Sequence, residues 1–398
     1  MDFSHDERTT TLIGEMQRFL DAKIYPAESI LTNQLAATPD DWNLRPIVRE
    51  LQAEARSRGL WNLFLPEPGQ PSNTRYAPIA ELTGRSPKLA PVAINCAAPD
   101  TGNMEVLHQF GTTEQKTRWL EPLLAGNIRS SFCMTEPDVA SSDATNIATS
   151  IRRDGAEYVV TGRKWWSTGA MNPDAAIFIV MGKTNPDAPR HRQQSMILVP
   201  RHATGVTIVR PLSVFGYHDR DHGGHAEIIF DEVRVPVSNL IAGEGEGFAI
   251  AQARLGPGRI HHCMRLLGMA ERAMDLMRER ALARVAFGRI LGEQGVVREW
   301  LAESRITIES LRLLVMKTAW LMDTVGNQAA MTEIQSIKIA VPRAVEGILG
   351  RAIQLYGGGG LTDDHPLAEM FAGARSLRLA DGPDEVHLSS LGKAELRR

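Results

Sequence analysis

Cysteine is scarce in this sequence, and an excess of positive charge is missing. The 398 residues include three cysteines, which are widely spaced and lie outside any CxxC motif: Cys96, Cys133 and Cys263. This distribution argues against a disulfide framework or a zinc site and favours a reducing compartment. The formal net charge of −3 offers no strongly basic face for nonspecific nucleic-acid binding. We therefore expect neither a metal centre nor a nucleic-acid partner.

Long hydrophobic runs are also missing. No uninterrupted apolar stretch approaches the roughly 20 residues of a transmembrane helix, so we expect no membrane span. The first residues, MDFSHDERTTT, carry acidic side chains and lack the apolar core of a secretory presequence. These features predict a cytoplasmic protein. The chain is 43% hydrophobic and 23% charged, as is usual for a globular protein, and is long enough for two or three domains.

Three segments of the chain differ in pattern and predict three domains. Residues 1–128 read as helices with short loops, one of them at about 114–124. Residues 129–242 carry short β-branched or aromatic runs separated by turn residues. These runs predict strands at 158–166, 176–181, 195–199, 206–210 and 226–235. Residues 243–398 read as helices again. We predict an α+β multidomain fold with an N-terminal helical domain, a middle antiparallel β-domain and a C-terminal helical bundle.

A run of four glycines, residues 357–360, follows an apolar helical stripe that extends from Val345 to Ile353. A dinucleotide-binding turn of the Rossmann type needs a strand before its glycines and a helix after them. Here a helix comes first, so the run is typical of a helix C-terminal cap.

The most informative stretch is residues 132–170, which read FCMTEPDVASSDATNIATSIRRDGAEYVVTGRKWWSTGA. A Thr-Glu-Pro turn and a Ser-Ser-Asp cluster lead into a hairpin that ends in paired tryptophans and Ser-Thr-Gly. Hydroxyls, turns and flat rings at the rim of a small sheet suit a planar heterocycle held by one edge. On their own, Trp165 and Trp166 would fit a sheet core equally well, and the threonines would fit ordinary strand positions.

This pattern resembles the acyl-CoA dehydrogenase family, whose fold has the same three-part order and a C-terminal four-helix bundle. The resemblance covers nearly the whole chain. The phrases TEPDVASSDATNI, PLSVFGY, LGPGRIHH and RLADGPDEVH are similar to one branch of the family, which in animals is fused to an aminoglycoside-phosphotransferase-like kinase domain. No kinase-like segment is recognised in this sequence. The resemblance implies an FAD cofactor, α,β-dehydrogenation of an acyl-CoA substrate, electron transfer to an electron-transferring flavoprotein, and a homodimer or homotetramer.

The resemblance also carries flavin contacts onto this sequence. Thr135 and Thr168 stand where the family's threonines hydrogen-bond the flavin, and Trp166 stands where a tryptophan covers one face of the ring. The full set of implied cofactor-binding residues is Phe132, Met134, Thr135, Ser141, Trp166, Thr168, Arg284, Phe287, Gln354, Gly357, Gly358, Gly382 and Glu385.

Two of these segments reach the cofactor of a neighbouring subunit in the family. Arg284 begins RVAFG, which resembles the element whose arginine pairs with the FAD pyrophosphate; a helix-surface arginine would also fit. The family's glutamine several residues later is replaced by Gly295, with Gln294 beside it, so that contact stays open. Gln354 and the first glycines of the run resemble the family's QxxGG segment.

The predicted catalytic base is Asp381. It lies in RLADGPDEVH, which resembles the family segment whose glutamate removes the α-proton of the thioester, and its arm is one methylene shorter. Some family members carry the base on a helix, just before an arginine that Arg259 resembles. Gly258 precedes Arg259 here and has no side chain that could act as a base. Asp-Gly-Pro is by itself also a good turn, and Asp a good cap.

The segment LGPGRIHHCMR, residues 255–265, resembles the part of the family that lines the acyl pocket. Its glycines remove side chains, Pro257 disfavours a regular helix, and two histidines add polar groups. One interpretation is a pocket for a bulky or oxygenated acyl chain, such as a 4-hydroxy or 4-phospho acyl chain. The other is a kinked helix whose histidines face a subunit interface. The implied substrate-binding residues are Ser142, Gly258, Arg259 and His262.

Two other functions share these features. A nitroalkane-oxidase-like flavin oxidase also uses an aspartate base, and it would consume oxygen without any CoA substrate. A member of the family that keeps FAD but has lost turnover would serve as a scaffold, and removal of Asp381 would leave it unaffected.

Overall fold

The computed structural model describes residues 4–66 and 72–397. The chain divides into two units. One consists of Met1–Glu28, Pro66–Pro91 and Arg259–Arg398, and the other of Ser29–Leu65 and Val92–Gly258. Each unit is therefore built from stretches that are separated in the sequence.

The helical N-terminal region is confirmed. Within residues 4–66 and 72–128 the helices are α1 (Glu7–Phe19), α2 (Tyr25–Ala37), α3 (Pro46–Ser57), α4 (Asn73–Gly84), α5 (Ala90–Ala93), α6 (Asp100–Phe110), α7 (Thr113–Gln115) and α8 (Glu121–Leu124). Wider π turns at Leu20–Ile24 and Lys116–Leu120 join α1 to α2 and α7 to α8. The helix predicted at 114–124 is thus present with one wide turn. Thr112 and Gln115 cap its start reciprocally.

A seven-stranded sheet follows. Its strands are β1 (Arg129–Cys133), β2 (Ser150–Asp154), β3 (Glu157–Thr168), β4 (Ala175–Lys183), β5 (Gln194–Pro200), β6 (Val206–Leu212) and β7 (His225–Pro236). The order is β1-β4-β2-β3-β7-β6, with β5 paired to β4. All five predicted strands are present. The sheet is not wholly antiparallel as predicted, because β1 and β2, which are absent from the predicted strand ranges, both pair with β4 in parallel. The predicted hairpin is present as the antiparallel pair β2–β3.

Two phenylalanines meet in the core of the sheet. Phe178 of β4 and Phe230 of β7 meet edge to face with their ring centroids 6.5 Å apart. Both are buried, and the aliphatic residues of the neighbouring strands surround them. Burying a side chain of this size contributes about 1.5–3 kcal/mol, so this face of the sheet supports the rim where the candidate site lies.

Helices return after the sheet. The elements are α9 (Gly247–Ala283), β8 (Val285–Ala286), β9 (Arg289–Ile290), α10 (Gly295–Val325), α11 (Met331–Tyr356), α12 (Leu367–Ser376) and α13 (Asp384–Glu395). Residues 243–397 therefore contain five helices rather than the four of the expected bundle, since α12 and α13 are two short helices. Helix α11 ends at Tyr356, immediately before the glycine run, as predicted. No helix within residues 4–66 and 72–397 is long and apolar enough to cross a membrane.

The prediction that Pro257 interrupts a regular helix is wrong. Helix α9 continues through Gly256, Pro257 and Gly258. A proline removes one backbone donor and strains the preceding turn, but packing along a helix of 37 residues outweighs this local cost.

Glycines also fix the position of α9 against α4. A Cβ atom on Gly268 would lie 1.7 Å from the carbonyl oxygen of Glu81, and one on Gly84 would lie 1.8 Å from that of Arg265. No side chain fits at such distances, so the two backbones are in direct contact. This contact holds the part of α9 that carries Arg259 and His262.

Candidate active site

The first candidate site is the rim where β1 meets β3, in the unit that contains Val92–Gly258. The backbone N–H of Trp165 donates to the carbonyl of Thr135 at 3.0 Å, and the Ser131 hydroxyl donates to the carbonyl of Thr168 at 2.8 Å. The register of β3 against β7 shifts between Lys164 and Ser167, which takes the two tryptophans out of the ladder. These contacts bring the Thr-Glu-Pro turn and the Trp-Trp-Ser-Thr segment together.

A buried ion pair, which the sequence reasoning missed, fastens this rim. Lys164 Nζ lies 2.8 Å from Glu136 Oε1 and donates to the carbonyl of Met134 at 2.8 Å. Glu136 also accepts from the backbone N–H groups of Ala148 and Thr149 at 2.7 and 2.9 Å. Burial lowers the pKa of Lys164 to about 8 against the attraction of Glu136. Burial opposes ionisation of Glu136, yet Lys164 and the hydrogen bonds hold its pKa below the usual value. We take the pair as ionised.

The rim fits a planar heterocycle. Trp166 has a positive φ of 52° and its side chain is 40% exposed, so it presents an indole face. The neighbouring Trp165 Nε1 is buried without a hydrogen-bond partner among the described residues. Thr135 is exposed and Thr168 half-buried. A flat group with acceptor and donor atoms along one edge would complete these surfaces, as the isoalloxazine of a flavin does.

Two further residues of the rim were not predicted. His225 Nδ1 lies 2.9 Å from the Thr168 hydroxyl, and Asp219 Oδ2 lies 2.7 Å from His225 Nε2. The ring of His225 also lies against Trp166, with centroids 5.5 Å apart. No local motif marks His225, because its role arises from cross-strand pairing with Thr168.

The remaining predicted residues of this unit lie beside the rim. Phe132 is half-buried on β1, and the Arg254 guanidinium lies 3.9 Å from its ring centroid. The Ser141 hydroxyl accepts from the backbone N–H of Glu136 at 2.8 Å, so it orders the Thr-Glu-Pro turn. Ser142 is exposed.

The second candidate site, in the other unit, is the turn between α12 and α13 that carries Asp381. Asp381 has a φ of 56° and Gly382 one of 101°. Asp is among the few residues that adopt the left-handed conformation readily. A Cβ on Gly382 would lie 2.9 Å from Nε2 of His387. The sequence Asp-Gly therefore suits the turn on steric grounds. The main chain of the turn sets the direction in which the Asp381 side chain leaves it.

Side chains from α9 and α13 hold the main chain of this turn. Arg259 Nε donates to the carbonyl of Asp381 at 3.1 Å, and His387 Nε2 lies 3.2 Å from the same oxygen. Gly258 is half-buried on α9. Arg259 is thus brought to Asp381 and Gly382, although it lies 122 residues from Asp381 in the sequence.

The Asp381 carboxylate, 18% exposed, faces His262, with Oδ2 3.5 Å from Nε2. Arg265 Nη2 lies 3.5 Å from Nδ1 of His262. Since a guanidinium can only donate, the ring hydrogen of a neutral His262 belongs on Nε2, where it points to the carboxylate.

Lys338 of α11 is a further residue that the motifs did not indicate. Its Nζ donates to the carbonyls of Leu377 and Gly382 at 2.5 and 3.4 Å. Its side chain is fully buried, and burial lowers its pKa while the charge of Asp381 opposes that shift. This lysine fixes both ends of the turn and places a cation near the carboxylate.

His387 predicts a loss of stability in mild acid. Burial, with Arg259 and Lys338 nearby, lowers its pKa to about 4 from the ordinary 6.5. The unfolded chain therefore binds the extra proton between these values. Stability is retained above pH 6.5 and falls as the pH drops towards 4, by at most about 3 kcal/mol. Urea unfolding at several pH values should show a smaller loss in His387→Gln. His202→Gln, at an exposed position, should behave as the wild type.

Five predicted residues lie where α9 and α11 end. Arg280 of α9 donates to the carbonyl of Tyr356, the last residue of α11, at 3.5 Å. Beyond these ends lie the β8–β9 hairpin and the glycine turn. The exposed predicted residues are Gln354 in the last turn of α11, Gly357 and Gly358 in the glycine turn, and Arg284 and Phe287 at the hairpin. Phe287, at the hairpin tip, is wholly exposed. The remaining one, Glu385, is exposed in the first turn of α13.

The order of helices, sheet and helices, with a rim that suits a planar group in one unit and an anchored carboxylate in the other, indicates an oxidoreductase of a flavoprotein family. Sequence models of the acyl-CoA dehydrogenase N-terminal, middle and C-terminal domains match residues 10–127, 131–233 and 245–396. The chain belongs to the acyl-CoA dehydrogenase family, as the sequence motifs predicted.

Named relatives support the same branch. The chain is 54% identical to "Probable acyl-CoA dehydrogenase FadE2" of Mycobacterium tuberculosis, over 100% of this chain and 98% of that protein. It is 57% identical to human acyl-CoA dehydrogenase family member 11, over 99% of this chain but 51% of the human protein, so it spans about half of that relative. A solved Mycobacterium abscessus structure, attributed to an acyl-CoA dehydrogenase, is 50% identical with a TM-score of 0.96 over 99% of both chains.

Proposed function

We propose that this protein catalyses FAD-dependent α,β-dehydrogenation of an acyl-CoA thioester, with Asp381 as the base. The observation that carries the proposal is the anchoring of Asp381. Arg259 and His387 bind its main-chain carbonyl, and Lys338 binds that of Gly382. The position of the carboxylate is therefore set by the turn. Nearby cations favour its ionised form, which is the form that accepts a proton.

In the proposed reaction, Asp381 accepts the proton that leaves the α-carbon. The electron pair of the broken C–H bond forms the α,β double bond, and the β-hydrogen departs with its own electron pair. When bound, FAD supplies the acceptor for this hydride. His262 faces the carboxylate, with Nε2 3.5 Å from Oδ2, and Arg259 keeps the turn in place. Positioning of this kind matters because a shift of about 1 Å in a catalytic group can reduce a rate about 100-fold.

The flavin would be held by the β1–β3 rim, through Thr135, Thr168 and the face of Trp166. Phe132, Met134 and Ser141 shape that rim. Arg284 and Gln354 would reach the FAD of a second subunit, and the fully exposed Phe287 supports such an assembly. We propose a homodimer or homotetramer with an electron-transferring flavoprotein as acceptor, in the cytoplasm. The proposed domains are residues 1–128, 129–242 and 243–398.

The acyl chain is proposed to be bulky or oxygenated, with a 4-hydroxy or 4-phospho chain as the narrower hypothesis. Support comes from the segment 255–265. It lies on an unbroken helix, and Gly256 and Gly258 remove side chains from it, while His262 adds a polar group. Ser142 is the residue proposed for the CoA entrance. Turnover of straight-chain acyl-CoA with no response to 4-hydroxy or 4-phospho analogues would contradict the narrower hypothesis.

The test is an anaerobic titration of the FAD-loaded protein with short, long, branched and 4-hydroxy acyl-CoAs. We expect the flavin absorbance to bleach with at least one class, and that class identifies the substrate. Free acids without CoA serve as the matched control and should not bleach it. A yellow protein that no acyl-CoA reduces, or one that consumes oxygen with nitroalkanes, would overturn dehydrogenation. Failure to bind FAD would overturn the flavoprotein assignment.

A further inference from the structure

Thr168 ends a chain of three hydrogen-bonded side chains at the rim. The distance from its hydroxyl to His225 Nδ1 is 2.9 Å, and that from His225 Nε2 to Asp219 Oδ2 is 2.7 Å. Thr168 and His225 are direct cross-strand neighbours on β3 and β7. We call these three residues the Asp219–His225–Thr168 relay.

The backbone holds the relay in place. Asp219 lies in the left-handed region with a φ of 48°, and its carbonyl accepts from the N–H of Gly224 at 2.9 Å. The carbonyl of Gly224 in turn accepts from the N–H of Gly169 at 2.8 Å. The loop that presents the Asp219 carboxylate is therefore tied to the end of β3, next to Thr168.

The chemistry of the three groups fixes the direction of each hydrogen bond. A carboxylate only accepts, so Nε2 of His225 carries the ring hydrogen. In a neutral imidazole the other nitrogen is then an acceptor. Thr168 must donate its single hydroxyl hydrogen to Nδ1. Its oxygen keeps lone pairs but has no hydrogen left for a ligand, so Thr168 can only accept from the cofactor.

We propose that Asp219 and His225 are positioning residues that turn the Thr168 hydroxyl into a hydrogen-bond acceptor for the flavin and thereby favour the reduced cofactor. This inference rests on the proposed function, because it requires Thr168 to contact the flavin near N5. Oxidised N5 is an acceptor and finds no donor in Thr168. Reduced N5 carries a hydrogen and finds an acceptor. The relay therefore makes acceptance of a hydride more favourable.

The test is the two-electron midpoint potential of bound FAD in Asp219→Asn. Asn also tolerates a positive φ. Its amide donates to Nε2, which moves the ring hydrogen to Nδ1 and releases the Thr168 hydrogen towards the flavin. We expect the ratio of reduced to oxidised cofactor to fall about tenfold, a drop of about 30 mV. Loss of a negative charge alone would favour added electrons and raise the potential, so the sign separates the two explanations.

Two controls complete the test. Asp221→Asn removes a carboxylate that pairs with His222 in the same loop, and it should not lower the potential. In a Thr168→Val background, Asp219→Asn should cause no further drop, because the hydroxyl that it redirects is missing. If Asp219→Asn does not fold, His225→Leu is measured instead, both in the wild type and in the Thr168→Val background. We expect the same drop in potential only where Thr168 is present.

An unchanged or raised potential in Asp219→Asn, or an equal drop in the Thr168→Val background, overturns the relay. The absorbance of bound FAD and its reduction by acyl-CoA are recorded on the same samples. A wild-type protein that binds FAD and is bleached by acyl-CoA but fails the potential test overturns the relay alone. A wild-type protein that does not bind FAD, or that no acyl-CoA bleaches, overturns the proposed function.

Discussion

Replacement of Asp381 by asparagine is expected to slow the acyl-CoA-dependent reduction of FAD by about 10²–10⁴-fold, the usual contribution of a general base. Asn fits the same left-handed turn, and the anchoring bonds go to the main chain. The variant should therefore keep its FAD content and its melting temperature. Stopped-flow absorbance of the flavin under anaerobic conditions measures the rate directly.

The matched variant is Asp381→Glu, which keeps a carboxylate and lengthens its arm by one methylene. We expect FAD reduction to be faster than in Asp381→Asn. Its rate should still differ from that of the wild type, because the carboxylate moves by about 1 Å. An Asp381→Asn protein as fast as the wild type would remove Asp381 as the base. If the wild-type protein binds acyl-CoA and its flavin is not bleached, the result would favour the hypothesis of a scaffold without turnover.

Glu136→Leu is expected to lower the free energy of unfolding by about 3–5 kcal/mol. The change leaves the fully buried Lys164 without its counter-ion, and an uncompensated buried charge costs this much. The backbone N–H groups of Ala148 and Thr149 also lose their acceptor. Urea unfolding of the holoprotein, followed by tryptophan fluorescence, gives the change in stability.

The control for Glu136→Leu is Asp154→Leu, which breaks an ion pair with Arg234 whose side chains are 45% and 51% exposed. We expect a change below about 1 kcal/mol, as is usual for a surface pair. The double variant Glu136→Leu with Lys164→Met should recover part of the loss, because it removes the unpaired cation. A small effect of Glu136→Leu alone would mean that Lys164 is neutral or hydrated.

The order of helices, sheet and helices was predictable because hydrophobic period and turn residues are local signals. β1 and β2 are absent from the predicted strand ranges for the same reason. RSSFC and SIRRD are short and polar. β1 forms along the edge of β4, and β2 forms as the antiparallel partner of β3. Pro257 gave the opposite error, because the sequence predicted an interruption where the structure has a continuous helix. Packing along the long helix outweighs the local effect of the proline.

The candidate residues divide in the same way. Thr168, Trp166 and Asp381 stand in recognisable motifs, so the sequence pointed to them. His225, Lys338 and the ion pair of Lys164 with Glu136 have no such motif. Each acquires its role from a contact across many residues, and a lone buried lysine or histidine in a sequence has no local signature.

The sequence by itself determined the family, the element order and the residue types at the predicted sites, because motifs and hydrophobic periods are carried by neighbouring residues. Only the tertiary structure decided which partners those residues meet: that the N–H of Trp165 donates to the carbonyl of Thr135, that His225 lies between Asp219 and the Thr168 hydroxyl, and that Lys338 and Arg259 hold the Asp381 turn. Such contacts depend on strand register and helix packing, which the whole chain settles together.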